Sequence, residues 1–181
     1  MLATPLRRTL LTTRPTGLAA RLAARIDAED VLLHGTADAD VAEFAPQRQT
    51  DFDGNRVTAV FATDDPIWAT FFAIVNRAAA RSLVNGCFRV RGETRYFFSV
   101  SADPAAETTW RDGWIYVLPR ATFTRHRSGP EWLSPTAVRP LERLRVTPAD
   151  FPFLAEVSRH GPGEPLPLVV ARATILRKRA R

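Results

Sequence analysis

The sequence predicts an α+β fold, and three observations carry that expectation. Apolar residues at helical spacing are concentrated in the first half, runs rich in β-branched and aromatic residues fill the second, and the two do not alternate regularly. A doubly wound sheet needs that alternation. With 181 residues, 45% of them hydrophobic, the chain can bury one substantial core and is short for two. A single domain over 1–181 is expected, with a basic arm and helix over 1–29, a core over 30–146, and an extension with a basic tail over 147–181.

The elements follow in order. After Pro15-Thr16-Gly17, residues Leu18, Leu22, Ala23 and Ile26 recur at helical spacing and predict an amphipathic helix near 17–28. Val31-Leu32-Leu33 is a short apolar run ending in His34-Gly35-Thr36, which reads as a strand delivering a polar residue at its tip. Residues 37–56 are polar and carry the turn pair Asp53-Gly54, so a long surface loop is expected before a strand at 57–62. Asp64-Asp65-Pro66 has the chemistry of a helix start, an acidic cap followed by proline, and Ile67 to Ala80 supplies the apolar helix. Beyond Asn85-Gly86, strands are expected at 87–90, 96–100, 114–118, 131–133 and 137–146. Gly161-Pro162-Gly163 marks a loop before a last apolar segment, 166–176.

Composition narrows the function classes. No stretch approaches the roughly 20 uninterrupted apolar residues of a membrane-spanning helix, so a cytoplasmic protein without a membrane partner is expected. The single cysteine, Cys87, excludes an intramolecular disulfide and a cysteine-based zinc site, and reads as a buried small hydrophobe. His34, His126 and His160 lie too far apart for a metal-ligand spacing, so no metal is expected. The net charge of +6 favours an anionic partner: nucleic acid, nucleotide, acidic protein or membrane surface. Two clusters carry much of it, Arg7, Arg8, Arg14, Arg21 and Arg25 with no acid before Asp27, and Arg177, Lys178, Arg179 and Arg181. The first cluster has the Arg-rich, acid-poor character of a transit peptide, but the same bias runs through the whole chain.

Several familiar motifs are absent: no GxGxxG after a strand, no GxxxxGK[ST] loop, no HExxH and no GxSxG elbow. What remains is an order of segments: Leu33-His34-Gly35-Thr36, then Val60-Phe61-Ala62-Thr63-Asp64-Asp65, then Phe71-Phe72 on the next helix, then Glu131-Trp132-Leu133 on a late strand. This order resembles the ADP-ribosyltransferase superfamily, in its poly-ADP-ribose polymerase and diphtheria-toxin-like branch. There a His-Gly-Thr/Ser strand, a Tyr-Phe-Ala strand, an aromatic on the following helix and a Glu opening a late strand occur in that order. The resemblance extends through Ala137-Val138-Arg139-Pro140-Leu141 and covers residues 30–146. It implies a split β-sheet core with an N-terminal helix, NAD as the substrate, and Glu131 and His34 as the catalytic pair. It further implies that His34 hydrogen-bonds a ribose hydroxyl, that the Gly35 backbone grips the nicotinamide amide, that Thr36 and Phe61 border the cofactor, and that Phe71 stacks on the nicotinamide ring. Charge complementarity alone nominates Arg48 or Arg56 for the pyrophosphate.

The chemistry has its own logic. Cleavage of the nicotinamide–ribose bond passes through an oxocarbenium-like state that a nearby carboxylate stabilises. Three positions depart from the family's pattern. Its tyrosine is replaced by Val60 or Phe61, neither of which carries a hydroxyl. Trp68 stands where the polymerase branch has a serine, with Thr70 as a substitute. Gly129, two residues before the glutamate, stands where arginine-modifying members carry an acid. Taken singly, the same residues have plainer readings: His34 a turn residue, Phe71 and Phe72 core, Glu131 an exposed loop acid, and Trp68, Trp110, Trp114 and Trp132 packing residues.

The expected function is a mono-ADP-ribosyltransferase that moves ADP-ribose to a nucleic-acid or acidic protein acceptor. Such a bacterial, toxin-like enzyme would be held in check by a neutralising partner protein, and would act as an NAD glycohydrolase where no acceptor is present. The rival expectation is a non-catalytic nucleic-acid-binding domain driven by the two arginine clusters.

Overall fold

Alternating and continuous apolar runs fold here into two sheets with three helices. The computed structural model describes residues 17–90, 93–101 and 109–179; Arg7, Arg8 and Arg14 of the basic arm and Arg181 of the tail lie outside them. The order is α1 (Leu18–Ala28), β1 (Val31–Thr36), β2 (Gln47–Thr50), β3 (Arg56–Thr63), α2 (Pro66–Ile74), β4 (Leu83–Val90), β5 (Glu93–Ser101), β6 (Gly113–Pro119), β7 (Thr124–Arg125), β8 (Glu131–Ser134), β9 (Glu142–Val146), β10 (Ser158–His160) and α3 (Leu166–Arg179). The fold is α+β with mostly antiparallel sheets. The larger sheet runs β7-β8-β3-β1-β6-β9 with β2 also on β3, and the smaller runs β10-β5-β4. Only β10 pairs in parallel, along β5.

Burial on both faces explains the unbroken Val31-Leu32-Leu33 run. Leu33 joins Ile115, Val117, Phe71, Ile74, Phe98 and Phe151 in the main core, while Leu32 joins Val60, Tyr116, Leu118 and Val138 on the opposite face. Phe71 stacks on Phe98 with ring centroids 4.3 Å apart, which ties α2 to the smaller sheet. Phe151, from the segment after β9, closes on both rings at 5.8 and 5.4 Å.

Helix α2 begins as its residues dictate. Asp65 is the N-cap, its carboxylate accepting from the Ile67 and Trp68 amides at 2.9 and 3.3 Å, with Pro66 in the first turn. The Tyr96 hydroxyl donates to the other oxygen at 2.5 Å, so the cap also anchors β5. Burial pushes the Asp65 carboxyl above its usual range, against the pull of these hydrogen bonds. Asp65→Ala removes the cap and leaves Tyr96 without this partner; a loss of about 2 kcal/mol is expected in urea unfolding, with Asp65→Asn retaining most of it.

Several elements differ from the sequence expectation. Helix α2 stops at Ile74, not Ala80, because Val75 turns extended and bridges Trp110. The polar loop 37–56 contains β2, whose four residues are all exposed and so carry no apolar alternation. The strand expected over 137–146 shrinks to β9. Pro140 cannot donate to a ladder, and Val138 makes only an isolated bridge to Phe44. Cys87 is half-exposed, not buried. Arg25 belongs less to a free basic arm than to ion pairs with Glu29 and Glu142. Among the described residues no helix is long and apolar enough to cross a membrane.

Candidate functional site

The larger sheet splits between β1 and β3. The two strands pair at a single position, Leu33 with Thr63, while β1 continues along β6 through Thr36 and β3 continues along β8. His34 and Gly35 therefore diverge from Ala62 and Phe61, and a cleft of about 830 Å³ opens in the gap. That volume lies within the ~300–1,000 Å³ of small-molecule sites. His34, Gly35, Phe61 and Glu131 all line it, although 97 residues separate the first from the last.

His34 bridges the split. Its Nδ1 lies 2.6 Å from the Phe61 carbonyl oxygen, and a carbonyl only accepts, so Nδ1 carries the proton and Nε2 is left as an acceptor. Burial lowers the pKa of the ring, with nearby Arg77 adding to the effect and the Phe61 bond opposing it. The neutral tautomer is thus the resident form. Phe44 packs against the ring at 4.5 Å and fixes its plane.

Glu131 opens β8 opposite Thr63 and is half-buried. The Phe52 amide donates to its Oε2 at 2.9 Å, leaving Oε1 for another partner. Burial raises its pKa; the Phe52 bond and His126 pull it down, and Asp51 and Asp53 push it up. The turns on either side are laced together. The Ser128 amide donates to His126 Nδ1 at 3.3 Å, so Nε2 carries the proton toward Asp51, 3.4 Å away, and the His126 amide donates to the Glu131 carbonyl at 2.8 Å. Burial pushes the Asp51 carboxyl up, but hydrogen bonds from Asn55 and Asp53 and the neighbouring His126 outweigh it and hold it low. Gly129 has a physical reason: a Cβ there would lie 2.4 Å from the Phe52 ring.

Other nominated residues fall elsewhere. Phe71 is fully buried in the core and cannot stack on a ligand; Phe72, read from the sequence as the core residue, lines the cleft instead. The two sit one residue apart, a turn of about 100° on the helix, so burying the first presents the second. Thr36 is not part of the cleft wall, and its hydroxyl accepts from the Asp38 amide at 3.2 Å. Thr70 is buried and donates to the Pro66 carbonyl at 2.7 Å, which removes it as a substitute for the missing serine. Arg48 and Arg56 are exposed on β2 and β3 outside the cleft.

The cation in the cleft wall is Arg77, which sequence reasoning passed over. Its guanidinium lies 5.1 Å from the Phe72 ring centroid, and burial there lowers its pKa with no carboxylate to counter it. Helical spacing pointed to this wall: Trp68 and Phe72 stand four residues apart and meet edge to face at 5.6 Å. The cleft thus combines a neutral imidazole acceptor, a carboxylate, an aromatic face and a cation free of acidic partners. That set can hold an anionic, hydroxyl-bearing ligand with a flat ring and stabilise a positive charge forming on it. Compared with models of known families, with curated proteins and with solved structures, the chain matches none.

Proposed function

We propose that the chain is an NAD-dependent mono-ADP-ribosyltransferase. The observation that carries the reading is the meeting of His34, Phe61 and Glu131, from three strands, in one cleft at the point where β1 and β3 part. A core split in this way is also what the resemblance to ADP-ribosyltransferases implies. In this reading the nicotinamide ring lies against Phe72, its amide meets the Gly35 backbone, and a ribose hydroxyl donates to His34 Nε2. Arg77 faces the pyrophosphate, the role the sequence gave to Arg48 or Arg56.

Glu131 supplies the electrostatic step. As the bond between C1′ and the nicotinamide nitrogen breaks, the electron pair leaves with nicotinamide and positive charge grows on the ribose. An ionised Glu131 beside it stabilises that charge in a half-buried setting where water screens it little. An acceptor, or water in its absence, then bonds to C1′.

The direct test is nicotinamide release from NAD by the purified protein. Wild type is expected to release it, and NAD at 100 times its Kd should add about 2.7 kcal/mol to the stability of the fold. Arg77→Gln is expected to raise KM at least tenfold with kcat nearly unchanged, as loss of a charged hydrogen bond of about 1.5–3 kcal/mol would. No release, together with no stabilisation by NAD, would overturn the reading in favour of a non-catalytic anion-binding domain.

A further inference from the structure

A second cavity, of about 550 Å³, adjoins the first. It is walled by the start of α2, the β4–β5 hairpin and the β7–β8 turn. Thr63 and Glu131 line the cleft, while their chain neighbours Asp64 and Pro130 line the cavity. The Thr63 hydroxyl donates to the Pro130 carbonyl at 2.6 Å and stitches the partition together. Glu131 therefore stands on the border between the two.

The chemistry of this cavity differs from that of the cleft. Arg125 and Arg127 are exposed and pair with no carboxylate among the described residues. Phe88 is 40% exposed on the hairpin, an apolar ring presented to solvent. Asp64 is half-buried and is not the helix cap, a role held by Asp65.

We propose that this cavity is the acceptor site and that its occupant is single-stranded nucleic acid. Two unpaired guanidiniums meet backbone phosphates, and an exposed aromatic ring stacks on an unpaired base. Asp64 accepts from the amino or imino groups of the base edge. An acidic peptide would engage the arginines but leave Phe88 without a role and set its own carboxylates against Asp64. Duplex would hide the base face that Phe88 requires.

The transfer step rests on the function proposed above; the binding does not. In that step the lone pair of a base nitrogen forms a bond to C1′, the C1′–nicotinamide bond breaks with its electrons leaving on nicotinamide, and the proton of the base nitrogen passes to Asp64 and then to water. The atoms balance with no further reactant.

The test uses the full chain with fluorescent single-stranded DNA and RNA, read by anisotropy across a salt series. The basic termini contribute a common background, so the comparison is among variants. Arg125→Gln with Arg127→Gln is expected to reduce the salt slope by about two, and Phe88→Ser to weaken binding by about 5- to 150-fold. Arg139→Gln with Arg145→Gln, which alters the same number of charges near β9, is expected to change little. With labelled NAD, label should pass to the oligonucleotide in wild type and not in Arg125→Gln/Arg127→Gln, which still releases nicotinamide into water. Equal losses in the two arginine pairs, or label appearing on acidic protein and not on nucleic acid, would overturn the proposal. If wild type released no nicotinamide, the proposed function would fail, and the anisotropy series would still decide the binding site.

Discussion

Glu131→Gln is expected to lower nicotinamide release by about 10²–10³-fold, the usual cost of removing one electrostatic stabiliser of a transition state, without loss of stability at neutral pH. Glutamine keeps the shape and can still accept from the Phe52 amide through its carbonyl oxygen. Burial raises the Glu131 pKa above the ordinary 4.5. Below pH 4.5 the carboxyl is protonated in both states and burial costs no charge. As pH rises from 4.5 through the raised folded pKa, ionisation favours the unfolded chain and wild-type stability falls. The mutant has no such group, so its stability relative to wild type grows across that window and then levels. His34 acts in the opposite direction. Its folded pKa is depressed below 6.5, so its contribution is complete above pH 6.5 and is lost as pH falls through the folded value. For catalysis, Glu131 must be ionised and His34 neutral, so the acid limb of the pH–rate profile is expected above pH 4.5. A mutant that lost activity and stability together would show a structural carboxylate and not a catalytic one.

Much of the scaffold was legible because it rests on local chemistry. Asp65 and Pro66 announce a helix start wherever the chain goes next, and Leu18, Leu22 and Ile26 mark the inner face of α1. The chain order of His34, Phe61 and Glu131 named three residues that line one cleft. Choosing between Phe71 and Phe72 required knowing which face of α2 the sheet would take, and both are aromatic. The small residues Ala69 and Ala73 held that information, since they mark the side on which backbones approach closely. Arg77 was invisible for another reason: it lies just beyond the helix, where the chain turns back only because Val75 pairs with Trp110. The strands β2 and β10 have too few apolar residues to show any period.

Gly35→Ala and Gly113→Ala are expected to have the largest effects on stability, at or above the upper end of the roughly 1–3 kcal/mol typical of overpacking. The reason is the seating of α2. A Cβ on Gly35 would lie 2.0 Å from the Ala69 carbonyl oxygen and 2.8 Å from the Ala73 nitrogen, and one on Gly113 would lie 1.9 Å from the Ala73 carbonyl oxygen. These neighbours are helix backbone, so no rotamer change relieves the contact, and α2 must lift from β1 and β6. Trp68 and Phe72 would move with it, widening the cleft they line. Gly113 has no place in that cleft and serves as the control. If glycine at 35 is required for helix seating, both variants lose similar stability, and the double variant loses less than the sum because one displacement of α2 relieves both clashes. Denaturant titration of the two single variants and the double decides it. A Gly35→Ala protein that stayed as stable as wild type while losing NAD affinity would place the need for glycine in the pocket and not beneath the helix.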